Sequence, residues 1–132
     1  MVPAIKGDNR AAWLPEAKAA LNIASAPLED PGAGEILIEN HAFAIQPLDS
    51  KKHNAAYGGA GGIKSYPAIL GTNVAGVVVA VGEGVSSVKV GDRVVADTAA
   101  YATGDMRMGA WQKYVISDVK TVAKVHKDLG WH

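Results

Sequence analysis

Short apolar runs, cut by glycine and proline, set the pattern of this chain. That punctuation favours strands over long helices. Residues 35–45 open on the apolar Ile36-Leu37-Ile38 and follow the turn-rich Pro31-Gly32-Ala33-Gly34, which predicts a strand. Residues 74–81 are almost continuously apolar and β-branched, interrupted by Gly76, and read as a strand buried on both faces. Gly82-Glu83-Gly84 ends it. Residues 85–90 and 93–96, with Gly91-Asp92 between them, then read as successive antiparallel strands joined by tight turns. Residues 109–116 and 121–125 add two more, and 10–14 can pair with 20–25 near the start. Pro47 marks the first turn of a short helix between Pro47 and Asn54. The glycine-rich residues 55–65 read as a mobile loop. The sum is a mainly β fold: one small, irregular barrel of roughly half a dozen or more strands with one or two short helices. No repeat or linker divides residues 1–132.

Composition narrows the class. The chain has 132 residues, 48% of them apolar and 20% charged, enough for one ordinary core. Thirteen basic and thirteen acidic side chains leave no net charge and no basic face, which argues against nucleic acid as a partner. No apolar run has the length to span a bilayer, and the start lacks the apolar middle of a signal peptide. Together with the absence of cysteine, this points to a cytoplasmic protein in a reducing compartment.

Three motifs, in order, carry a family resemblance. Pro31-Gly32-Ala33-Gly34-Glu35-Ile36-Leu37-Ile38 comes first, then Ala44-Ile45-Gln46-Pro47-Leu48-Asp49-Ser50-Lys51, then residues 70–95, ending in Val90-Gly91-Asp92-Arg93-Val94. The ordered set resembles the GroES-like catalytic domain of medium-chain dehydrogenases/reductases. In the zinc-dependent branch of that superfamily, the slot of Thr72-Asn73 carries a His-Glu pair that helps hold the metal. Zinc prefers thiolate, imidazole and carboxylate, so Thr72 and Asn73 imply the zinc-independent branch. His41, His53, His126 and His132 have no metal-ligand spacing, and no metal site is expected. The opening Asn9-Arg10-Ala11-Ala12-Trp13-Leu14 is most similar to fungal trans-acting enoyl reductases, which work beside polyketide synthases and reduce enoyl thioesters with NADPH. Quinone reductases are close competitors.

The resemblance assigns candidate site residues, each with a competing structural reading. Leu48, Asp49, Ser50 and Lys51 would lie beside the nicotinamide and ribose of the cofactor. Lys51 could donate to ribose hydroxyls or stabilise enolate charge; its competing reading is a solvated helix lysine beside Lys52. Asp49 could instead cap the short helix. Gln46 stands where many relatives carry asparagine, and it joins Thr72 and Asn73 as a substrate-side residue. Thr72 and Asn73 could equally satisfy backbone groups at the strand start. Tyr57, a phenol protonated at neutral pH, is a candidate proton donor; otherwise it is an exposed loop aromatic. Tyr66 is expected to pack against the barrel, Asp92 and Arg93 to serve the turn and barrel closure. His41 is placed on a strand face and the other three histidines at the surface.

Full-length relatives continue into a Rossmann domain that grips the dinucleotide. Neither Gly82-x-Gly84 nor Gly59-Ala60-Gly61-Gly62 leads into a helix, so neither reads as that fingerprint. The resemblance therefore implies a catalytic-domain fragment of a zinc-independent, NADPH-dependent reductase, with the Rossmann half outside residues 1–132. Such a fragment would bind NADPH weakly or not at all by itself. Two other functions compete: a non-enzymatic binding or assembly barrel similar to a co-chaperonin, and an inactive truncated paralogue. The glycine-rich loop offers little apolar anchor for a co-chaperonin contact.

Overall fold

The computed structural model describes residues 8–55, 63–126 and 128. Eight strands and two short helices are present among them. The strands are β1 (Arg10–Leu14), β2 (Asn22–Ser25), β3 (Glu35–Phe43), β4 (Ala68–Ile69), β5 (Asn73–Val81), β6 (Arg93–Asp97), β7 (Tyr114–Asp118) and β8 (Val122–Lys124). The helices are α1 (Pro47–His53) and α2 (Ala100–Thr103). The mainly β reading of the sequence is the fold observed. No helix of the described residues is long and apolar enough to cross a membrane.

A five-stranded antiparallel sheet runs β7-β3-β5-β6-β8, and a smaller one runs β2-β1-β4. The two sheets meet where β1 lies against residues 111–113. The Ala12 N–H donates to the Trp111 carbonyl (2.9 Å) and the Lys113 N–H to the Arg10 carbonyl (2.9 Å). Buried amides close this junction. Asn9 donates to Gln112 Oε1 (2.8 Å) and the Pro27 carbonyl (2.9 Å), and accepts from the Tyr114 N–H (3.0 Å). Each polar atom of the Asn9 amide thus has a partner, as burial requires.

β3 is central because it buries both faces along its first half. Ile36 and Ile38 join Val74, Val78 and Val94 in the main core, while Leu37 packs with Met108, Tyr114 and Ile116 on the other side. Each such side chain contributes roughly 1.5–3 kcal/mol by leaving water. The pairing with β7 stops at Glu39 opposite Tyr114, and from His41 onward β3 is exposed. That exposed half leads directly into α1.

Several local expectations need correction. Residues 85–90 form no strand. Val88 is buried but Val90 is 53% exposed, and the Lys89 N–H and ammonium are both taken by Asp92. The segment folds back as a turn. Those bonds from Lys89, with Lys124 nearby, hold the Asp92 carboxyl down at about 2. Asp92 thus does the turn work expected of it. Residues 109–113 lace between Gly71, Leu70 and Arg10, and the strand proper begins at Tyr114. β5 alternates between buried and half-buried positions and is not equally buried on both faces, because one side of the sheet has lighter cover. Gly82-Glu83-Gly84 is a turn, as read, docked against the turn before β3 through Gly34 N–H to the Glu83 carbonyl (2.9 Å).

Candidate functional site

α1 is seven residues long, too short to persist without tertiary support. Pro47 presets its first turn. Asp49 accepts from the Gln46 N–H (2.8 Å) through Oδ2, and its own N–H donates to the Gln46 carbonyl (2.9 Å). Lys51, Lys52 and His53 fall in the last turn, where the helix dipole favours positive charge. At that end the Lys18 N–H donates to the His53 carbonyl (2.8 Å), and His53 Nε2 lies 2.6 Å from the Ala19 carbonyl oxygen. His53 is therefore half-buried and bonded, not a plain surface residue.

Position along α1 decides which side chains reach solvent. Asp49 is fully buried and Lys52 nearly so, while Leu48, Ser50 and Lys51 are exposed. Lys52 Nζ sits over the Tyr101 ring, 5.3 Å from its centroid. Such a partly desolvated cation over an aromatic face is a favourable contact.

The second half of the site is the turn entering β5. Gly71 has φ +93°, where a side chain is strained. A Cβ there would also lie 2.6 Å from Trp111 Cδ1 and 2.7 Å from Ala110 Cβ. The Thr72 carbonyl accepts from the Thr98 N–H (2.6 Å), and the Asn73 carbonyl from the Ala44 N–H (3.1 Å). Thr72 Oγ1 donates to Asn73 Oδ1 (3.2 Å).

Tyr101, on α2, joins the two halves. Its hydroxyl accepts from the Gly71 N–H (2.8 Å) and donates to Asp49 Oδ1 (2.5 Å). Burial, and then the bond to Asp49, push the phenol well above its ordinary value, so it stays protonated and donating at neutral pH.

Of the residues expected from sequence, Gln46 and Asp49 meet at the start of α1, and Thr72 and Asn73 meet at the turn. Asp49 takes the capping role that was one of its two readings. Asn73 lines an open groove of about 770 Å³ with Asp97 and Lys120. A neighbouring groove of about 640 Å³ is flanked by His41, Ile45 and Trp111, and Phe43 borders both. His41 lies on the exposed end of β3. Tyr57 falls outside the described residues. Tyr66 is 38% exposed and does not bury against the barrel as expected. Tyr101 and Lys52 were missed: a lone tyrosine in Ala99-Ala100-Tyr101-Ala102 carries no motif, and Lys52 was read only as the neighbour of Lys51.

The donor set is a poor match for zinc. Gln46, Thr72 and Asn73 supply neutral amide and hydroxyl groups, and the Thr72 hydroxyl already donates to the Asn73 oxygen that a metal would use. Among the described residues no three His, Asp or Glu side chains gather as metal ligands.

Comparison with known proteins defines the family. The alcohol dehydrogenase GroES-like domain matches residues 32–127. The chain belongs to this family, the catalytic-domain family of the medium-chain dehydrogenase/reductase superfamily. It is 38% identical to the zinc-binding alcohol dehydrogenase domain-containing protein cipB of Emericella nidulans, over 94% of this chain and 38% of that protein. It is 32% identical to the trans-enoyl reductase tndF of Aspergillus flavipes, over 94% of this chain and 36% of that protein. Among solved structures, a quinone oxidoreductase of Pseudomonas syringae pv. Tomato DC3000 has the same fold, with TM-score 0.79 and 24% identity over 93% of this chain and 35% of that one. Mycobacterial Rv1454c, solved with NADPH, gives TM-score 0.72 and 28% identity over 92% and 34%. The chain thus spans well under half the length of these proteins.

Proposed function

We propose that these residues form the substrate-side wall of a zinc-independent reductase, which delivers hydride from NADPH to an activated carbon–carbon double bond. The observation that carries this reading is the join between α1 and the Gly71–Asn73 turn through Asp49 and Tyr101. It ties the helix that carries Lys51 to a turn of neutral polar groups, and among the described residues no set of strong zinc ligands gathers there. The trans-enoyl reductase relative supports an enoyl thioester as substrate class, and a polyketide synthase as the enzyme that would present it.

When bound, NADPH supplies the hydride. By the family resemblance its ribose would meet Ser50 and Lys51, which are exposed on α1. No glycine-rich strand–turn–helix occurs among the described residues, so the pyrophosphate is assigned to a separate nucleotide-binding domain. Hydride addition at the β-carbon would move the double-bond electrons toward the thioester carbonyl, so the residues of the wall would have to stabilise enolate charge. The Lys51 ammonium stabilises that charge or anchors the ribose. A proton then adds at the α-carbon, for which Tyr57 is the proposed donor. Phe43 and Ile45 line the neighbouring groove with exposed apolar surface, 47% and 73% accessible, suited to an acyl chain, and Leu48 is exposed on α1.

Lys51→Ala in the full natural protein should lower kcat/KM for an enoyl thioester by about 100-fold, the low end of what loss of one charge-stabilising donor costs. Steady-state NADPH oxidation measures it. Rates equal to those of the unaltered protein would remove Lys51 from the mechanism.

A further inference from the structure

We propose that Tyr101 is a positioning residue of this site, fixing the substrate-side turn against the helix that carries Lys51. The inference rests on the reductase reading for its kinetic consequence, but its geometry stands apart from it. Neither half of the site is rigid by itself. α1 has seven residues, and the turn at Gly71 adopts a backbone conformation that leaves its N–H without a strand partner. The Tyr101 hydroxyl answers both needs at once. It satisfies the Gly71 N–H at 2.8 Å and one oxygen of the buried Asp49 carboxylate at 2.5 Å. The other Asp49 oxygen holds the start of α1 through the Gln46 N–H.

The ring adds a second hold, because Lys52 Nζ rests over it while Lys51, one residue earlier, is exposed. Rotating α1 to bury Lys51 would break that contact and expose Lys52. The chain from Gly71 through Tyr101 and Asp49 to Gln46 therefore sets the distance between Thr72-Asn73 and Lys51, as well as the facing of Lys51. A part-buried polar chain anchored on the buried Asp49 favours one arrangement, whereas removing its middle leaves a donor and an acceptor unmet. Tyr101 itself need not touch substrate.

The test is Tyr101→Phe in the natural protein, which keeps the ring under Lys52 and deletes only the hydroxyl. Val88→Ala is the comparison: Val88 belongs to the core beyond the far end of β5 and stands in for general destabilisation. Both variants are studied at a temperature where each is fully folded. Tyr101→Phe should speed amide exchange at Gly71 and shift the amide resonances of Lys51, Thr72 and Asn73. It should also lower kcat/KM for an enoyl thioester about tenfold, with Val88→Ala within twofold of the unaltered protein. Unmoved resonances at Lys51, Thr72 and Asn73, or a kinetic loss no greater than that of Val88→Ala, would overturn the proposal. If the natural protein reduces no enone or enoyl thioester, the reductase reading fails, and the resonances alone decide the positioning role.

Discussion

Gly76→Ala should lower the thermal unfolding midpoint by about 10 °C, from a loss of about 3 kcal/mol. Gly76 lies in the centre of β5, opposite Asn40 of β3 on one side and Val94 of β6 on the other. The β3–β5 register shifts beside it, between Asn40 and Ala42, where β3 bends. A Cβ at Gly76 would overlap the Glu39 carbonyl oxygen and lie 2.8 Å from Ile38 Cγ2. No rotamer relieves a clash with backbone, and moving β3 disturbs its pairing with β7 as well. Scanning calorimetry reads the midpoint. A shift under about 2 °C would mean that the strands do not approach as described.

The second large effect is expected at Asp49. Asp49→Ala should cost about 3 kcal/mol, since it removes the α1 cap, about 1 kcal/mol, and a buried charge-assisted bond to Tyr101, about 1.5–3 kcal/mol. Asp49→Asn keeps one acceptor oxygen and should lose roughly half as much. Urea unfolding at neutral pH separates the two variants by their midpoints. Because α1 carries Lys51, Asp49→Ala should also reduce turnover even where the protein remains folded. Equal midpoints for Asp49→Ala and the unaltered protein would contradict the buried network.

Much of the fold was legible because the strongest signals were local. Ile36-Leu37-Ile38 after a proline–glycine turn, and the valine run of β5, read as strands from composition and length alone. Pro47 marked α1 for the same kind of reason. Residues 85–90 misled because three valines fall in six residues, two of them (Val88 and Val90) spaced as on one strand face. Pairing needs a neighbour, however, and the Lys89–Asp92 bonds turn the segment first. The divided lacing of residues 109–113 depends on Gly71, Leu70 and Arg10, which lie far off in sequence.

The candidate site was legible in part. The motif containing Gln46, Asp49 and Lys51, and the pair Thr72-Asn73, were visible in sequence, and the fold brings their segments together. Their link was not visible. Tyr101 lies 30 residues from Gly71 and 52 from Asp49, so only folding reveals that one hydroxyl serves both. The burial of Lys52 over the Tyr101 ring likewise depends on a residue far off in sequence.

The most direct measurement follows deuterium from 4-deuterated NADPH into an α,β-unsaturated thioester, using the full natural protein with and without a zinc chelator. Deuterium at the β-carbon of a saturated product, at a rate the chelator leaves unchanged, is the predicted result. Deuterium at the carbonyl carbon, or a rate that collapses with chelation, would contradict a metal-free wall built around Lys51 and the Thr72-Asn73 turn.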